Sequence, residues 1–184
     1  MKKAFLLTLA LFCTAALQAV TLTWTQDANA TNSSGSVETL GVWANRSATV
    51  GVAITYGTSI GTGSVLAVGR AVNSNIFNAT INSAGNYELT INGATGGTLI
   101  KGATVAATAS SEQIVTLTFY RGTGTKMNSL ELAVDGVIIA TLANYTITTG
   151  PMNWIEWGRS VGGVNVYSGS ATYSVWHTID TARK

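Results

Sequence analysis

The chain has 184 residues, with 10 Lys and Arg against 8 Asp and Glu, one His and one Cys. That is about one domain's length, and its cations are too few and too scattered for the basic stripe that nucleic acid requires. One His and one Cys also leave no set of ligands for a zinc site. The chain opens with Met1-Lys2-Lys3, runs apolar from Ala4 to Phe12, and reaches small residues ending at Ala19. These are the parts of a secretory signal peptide over residues 1–19. The apolar run is too short to span a bilayer, and no later stretch approaches the length of a membrane anchor. Phe12 ahead of Cys13 does not fit a lipoprotein processing site. Cleavage after Ala19 would remove Lys2, Lys3 and Cys13. Residues 20–184 are then expected to form a single exported domain of zero net charge and without disulfides, secreted, periplasmic or on the cell surface.

Beyond residue 19 the periodicity is two, again and again. Leu22 and Trp24 alternate with Thr21, Thr23 and Thr25; Val50, Val52, Ile54 and Tyr56 alternate with Gly51, Ala53 and Thr55. Tyr87, Leu89 and Ile91, then Val115, Leu117 and Phe119, repeat the pattern. Each run puts apolar side chains on one sheet face and short polar ones on the other. Between the runs lie "YGTSIGTGS", "NSAGN", "NGATGG", "RGTGT" and "SVGG", clusters that supply tight reversals. In "LELAVDGVIIATL" (Leu130–Leu142), Asp135-Gly136 suits a two-residue type I′ turn, and Asp135 reads as a turn residue. The return, Val137-Ile138-Ile139, is apolar on consecutive positions and is expected to be covered on both faces. "LAVGR" (Leu66–Arg70) and "IEWGR" (Ile155–Arg159) share one frame, as two strands with the same packing problem would. No stretch after the signal has helical spacing, so the fold class is all-β, a sandwich or barrel.

From about Ser64 onward the order of pieces resembles the laminin-G and concanavalin A-like lectin/glucanase superfamily. "SVLAVGR", "NYELTI", the long "IVTLTFYRGTGTKMNSLELAVDGVIIATL", "WIEWGRS" and "YSGSATYSVW" carry that resemblance, in that order. It implies a two-sheet antiparallel jelly-roll β-sandwich. Glu112-Gln113 stands where the family often has Trp-His, and Thr172-Tyr173 replaces an acidic pair often found in the closing strand. The Met-Lys-Lys start looks bacterial, so the Asn-x-Ser/Thr triplets at Asn29, Asn32, Asn45, Asn78 and Asn144 do not imply N-glycans.

Glucanases of that fold cluster their carboxylates on one strand, because acid and nucleophile must flank one sugar bond. Here Asp27, Glu38, Glu88, Glu112, Glu131, Asp135, Glu156 and Asp180 include no two at i, i+2. A non-local pair, for example Glu88 with Glu131, stays open. His177 lies near Asp180, but no G-x-S-x-G elbow is present, so no catalytic residue is assigned. "RGTGTKM" lacks the spacing of a phosphate loop. Asp27, Asn29 and Asn32 offer oxygens to calcium but only one carboxylate, so neither a metal nor another cofactor is expected.

Sugars stack on aromatic rings, and "NWIEWGR" places Ile155 and Trp157 on one strand face and Trp154 with Glu156 on the other. If the first pair fills the core, Trp154 projects outward beside Glu156 and near Arg159, with Asn165 and Tyr167 following. These five are the candidate carbohydrate-binding residues; the alternative is that Trp154 packs between sheets or under the Pro151 loop. Three function classes follow. The first is a secreted lectin-like module for a glycan or glycosylated surface, the second a structural or adhesive surface protein, the third a glycoside hydrolase with a non-local carboxylate pair.

Overall fold

Branched and aromatic residues alternating with Thr, Ser and Gly build strands, and the computed structural model contains strands and no helix among its described residues. Those residues are 20–25, 47–69, 76–92, 98–121, 126–146, 154–159 and 166–179. The expected signal peptide, the Asp27–Asn32 loop and Asn165 lie outside them. The strands are β1 (Val20–Thr25), β2 (Ala48–Tyr56), β3 (Gly63–Gly69), β4 (Ile76–Ile81), β5 (Asn86–Asn92), β6 (Thr98–Ala106), β7 (Glu112–Arg121), β8 (Lys126–Val134), β9 (Val137–Thr146), β10 (Trp154–Trp157) and β11 (Ala171–Ile179). They form two antiparallel sheets, one in the order β1-β11-β2-β7-β8-β9 and the other β10-β3-β4-β5-β6. The fold is the expected two-sheet jelly-roll sandwich.

The core is the space between the sheets. Val50, Val52 and Ile54 of β2, Val115 and Leu117 of β7, and Leu130 and Leu132 of β8 enter it from the six-stranded sheet. Leu66 and Val68 of β3, Phe77 of β4, and Leu89 and Ile91 of β5 meet them from the other. Phe77 and Phe119 touch edge to face across the gap, their ring centres 5.5 Å apart. Each such side chain contributes about 1.5–3 kcal/mol on burial.

The two segments with a shared frame are hydrogen-bonded neighbours. β10 runs antiparallel to β3, with Ile155 opposite Val68 and Trp157 opposite Leu66. Two strands that bury alternate residues against the same partner sheet arrive at the same pattern. β4 alternates over a short run, Phe77, Ala79 and Ile81 inward and Asn78 and Thr80 outward, whereas "TLIKGATVA" interrupts the pattern with Lys101, which pairs with the inward Leu89.

The β8–β9 turn is of type I′, with φ of 50° at Asp135 and 79° at Gly136. Asp135 also clasps β7: its N–H donates to the Ile114 carbonyl at 2.8 Å, and its Oδ1 accepts the Ile114 N–H at 2.7 Å. The return strand departs from expectation. Val137 is 63% exposed and Ile138 56%. β9 is the outermost strand of its sheet, and the register slips between Leu132 and Ala133, so Ile139 is an extra residue and Ala140 and Leu142 are the ones on the core side.

Two glycines separate backbone strain from steric blockage. Gly136 (φ 79°) has open space where a Cβ would stand, whereas at Gly63 (φ 120°) a Cβ would collide with the Val166 carbonyl oxygen and lie 2.8 Å from the Tyr167 Cα. Gly136→Ala is expected to cost about 1–2 kcal/mol for the positive φ alone, and Gly63→Ala distinctly more, because backbone must move. Urea denaturation of both variants measures this; equal losses would show that the close approach at Gly63 is not tightly held.

Candidate functional site

β10 positions the expected binding residues. Ile155 and Trp157 are buried in the core, as the alternation requires. Glu156 points the other way, onto the outer face of the five-stranded sheet, yet it is only 3% exposed. In register it stands opposite Ala67, Ala67 opposite Asn78, and Asn78 opposite Thr90. A second row runs Ser64, Thr80, Glu88. This face is therefore polar and, through β3 and β4, covered: Ser64, Ala67, Asn78 and Thr80 are all buried. Thr80 and Thr90 hydroxyls meet at 3.0 Å, and the Asn82 Nδ2 donates to Glu88 Oε1 at 2.6 Å. Ser64 Oγ and Asn78 Oδ1 have no hydrogen-bond partner among the described residues, an arrangement that costs about 1–3 kcal/mol per group.

A buried carboxylate needs a counter-charge. Arg159 supplies it, with Nε 3.3 Å from Glu156 Oε2, three residues along the chain. The Arg159 side chain is 31% exposed, so the pair spans from the covered face to the surface.

The exposed rim expected from the sequence is corrected at two residues. Glu156 is not a surface carboxylate, because it sits against Ala67 in the covered part of the sheet. Tyr167 is fully buried, because it follows a parallel bridge between Ser64 and Val166 that turns it inward. Its ring packs on Tyr56 at 5.8 Å between centres, and its hydroxyl accepts the Gly61 N–H at 2.9 Å. Its own N–H donates to the Gly158 carbonyl at 2.8 Å, next to Arg159. The Trp154 backbone pairs with Gly69, one step of two residues from Glu156 on the same strand; Asn165 lies outside the described residues.

Among the described residues the carboxylates Glu88, Glu131 and Glu156 do not gather. Glu88 belongs to the outer face of the five-stranded sheet and Glu131, opposite Thr118 and Thr141, to the outer face of the other. The sandwich thickness, about 10 Å between sheets, separates them. Glu156 and Glu88 share a face but stand three strand spacings apart, about 14 Å, beyond the roughly 5–9.5 Å of glycosidase pairs. Among the described residues no group of three His, Cys, Asp or Glu could hold a metal ion. His177 points into the core, opposite Val50, and is buried.

No family model matches the chain, and no curated protein matches it. Solved structures do. The fold is similar to the CBM40 of a Ruminococcus gnavus IT-sialidase, at 17% identity and a TM-score of 0.57, over 85% of this chain and 91% of that one. The same module has been solved bound to α2,3 and α2,6 sialyllactose. A galectin of Caenorhabditis elegans matches at 14% identity and a TM-score of 0.52, over 85% and 94% of the two chains. A domain of a Geobacillus stearothermophilus GH43 arabinanase, solved with arabinotriose, matches at 8% identity and a TM-score of 0.51, over 86% and 82%. At these identities the likeness is one of fold.

Burial holds the His177 imidazole pKa below its ordinary value. As pH falls below about 6.5 the unfolded chain takes up the proton first, so the fold loses stability until the folded imidazole also titrates. The melting temperature is expected to drop between about pH 7.5 and about pH 5.5, and to drop less in His177→Gln. An identical slope in the variant would assign the acid sensitivity elsewhere.

Proposed function

We propose that this chain is a secreted, non-catalytic, lectin-like module whose glycan docks at the β10 end of the five-stranded sheet, on Arg159 and Trp154. The observation that carries this reading is Arg159 itself: a partly exposed guanidinium whose Nε edge is held by a buried carboxylate. An ion pair on the Nε side draws the guanidinium toward Glu156 and leaves its terminal N–H donors to meet the paired oxygens of a sugar carboxylate or of vicinal hydroxyls. In this reading Glu156 and Tyr167 act from behind, Glu156 by orienting the guanidinium and Tyr167 by bonding to the Gly158 carbonyl beside it. The fold neighbours that bind sialyllactose and arabinotriose support a carbohydrate ligand. The wide separation of Glu88, Glu131 and Glu156 supports binding without cleavage.

A glycan array carrying sialylated and neutral oligosaccharides tests it. Arg159→Ala should weaken binding by about 10- to 100-fold, the worth of a hydrogen bond to a charged group, and Trp154→Ala should weaken it as well. An array without any bound glycan, or binding indifferent to both changes, removes the reading. A second reading, a structural or adhesive protein that contacts other proteins, is favoured by the exposed Val137 and Ile138 at the hairpin tip. It predicts glycan-independent attachment that Ile138→Ser abolishes.

A further inference from the structure

The two outer faces of the sandwich are not alike. That of the five-stranded sheet is covered at its centre. On the six-stranded sheet the outward residues Thr49, Ala53, Thr116, Thr118 and Ser174 are all partly exposed, and Thr55, Ile114 and Tyr120 are open to solvent. The largest side chain placed on that open face by the alternation of β11 is Trp176, between the inward Val175 and His177. Its partner in register is Gly51 of β2, followed across the sheet by Thr116 and Ala133.

Gly51 is a glycine for reasons of space. A Cβ there would fall within the van der Waals envelope of Trp176 Cζ2 and Cε2 and lie 2.9 Å from Cη2. The benzene half of the indole thus occupies the place of a β2 side chain, laid over the neighbouring strand, and the ring remains partly exposed. One step along the strands, the Thr49 and Thr118 hydroxyls meet at 3.1 Å. Thr118 stands opposite Glu131. Among the described side chains this face carries two acids, Glu112 and Glu131, and no Lys or Arg.

We infer that the open face of the six-stranded sheet is a second saccharide-binding surface, on which Trp176 seated over Gly51 stacks against the C–H face of a neutral pyranose and the Thr49, Thr116 and Thr118 hydroxyls bond to its ring substituents. A ring that rests on backbone loses little freedom when a ligand covers it, so less of the stacking energy is spent on ordering the side chain. Threonine hydroxyls both donate and accept, as sugar hydroxyls do. The two acids repel a carboxylated sugar, which separates this ligand class from one that an arginine would select. A protein partner would be expected to meet a more apolar and less hydroxylated strip than this row offers. The surface lies on the opposite side of the sandwich from Arg159, so the two sites stand or fall independently.

Affinity electrophoresis of the full chain through gels containing a neutral mannan, a mixed-linkage β-glucan or a galactan, with polygalacturonate as the anionic comparison, tests the assignment. At least one neutral polymer should retard the protein and polygalacturonate should not. Trp176→Ala should weaken the retardation at least tenfold. Gly51→Val should do the same with the indole still present, because its side chain lifts the ring. Should either variant fail to fold, Thr116→Glu places charge and bulk beside the ring while leaving the core unchanged, and should weaken retardation likewise. Arg159→Ala should leave it intact. No retardation by any neutral polymer, equal retardation of the folded Trp176 and Thr116 variants, or loss in Arg159→Ala would overturn the inference.

Discussion

Two tyrosine hydroxyls meet in the interior, and the closure of the sandwich depends on their being satisfied there. Tyr56 comes from β2 in the six-stranded sheet and Tyr87 from β5 in the five-stranded one, and their oxygens are 2.7 Å apart. Tyr87 donates to Gln113 Oε1 at 3.1 Å, so the proton between the two phenols comes from Tyr56. Gln113 Oε1 also accepts the Thr108 N–H at 2.9 Å, which fixes the approach to β7. Burial pushes both phenols far above their ordinary pKa, so they remain protonated donors. Apolar contact alone would let the two sheets slide. This chain of bonds sets one relative position, since breaking any link leaves a buried polar group unpaired at a cost of about 1–3 kcal/mol.

The same cluster reaches the proposed glycan site. Tyr167 packs on Tyr56, holds the Gly61 N–H with its hydroxyl, and bonds through its own N–H to the Gly158 carbonyl. Gly158 precedes Arg159 and donates to the Val65 carbonyl of β3 at 3.1 Å. The arginine therefore hangs from a segment pinned to the core on one side and to β3 on the other. A ligand group selected by a guanidinium benefits from such a mount, because the donor directions are set before the ligand arrives.

Alternation made most of the fold legible. It gave β2, β5, β7 and the inward-facing residues of β10, and Asp135-Gly136 gave the hairpin turn together with its type. It could not say whether an outward face would be covered, which is why Glu156 reads as a surface carboxylate in the sequence and is buried in the fold. Val137 and Ile138 fail in the opposite sense: a run of apolar residues looks like a doubly covered strand, but one bulge at a sheet edge leaves it exposed. Gln113 stood out only as a departure from the superfamily pattern. Its role depends on Tyr87, distant in sequence and on the other sheet, and no local pattern encodes such a meeting. Trp176 was hidden for a related reason, since its seat is a glycine on another strand.

Threonine links the scaffold to the surface it offers. A strand position facing solvent must favour extended backbone, which β-branching does, and must stay polar enough to avoid edge and face aggregation. Charged side chains would meet the second need, but they make up only 10% of this chain. Threonine meets both, and five of the outward positions on β2, β7 and β9 are Thr49, Thr55, Thr116, Thr118 and Thr141. The choice leaves an open face with a row of short, uncharged donor–acceptor groups, with only Glu112 and Glu131 charged among its described side chains. Such a row attracts polyanions poorly, and presents to a neutral polyol the same kind of hydroxyl that the polyol carries. On that background one large ring is decisive: without Gly51 to receive it, Trp176 would have to stand away from the threonine row rather than lie beside it.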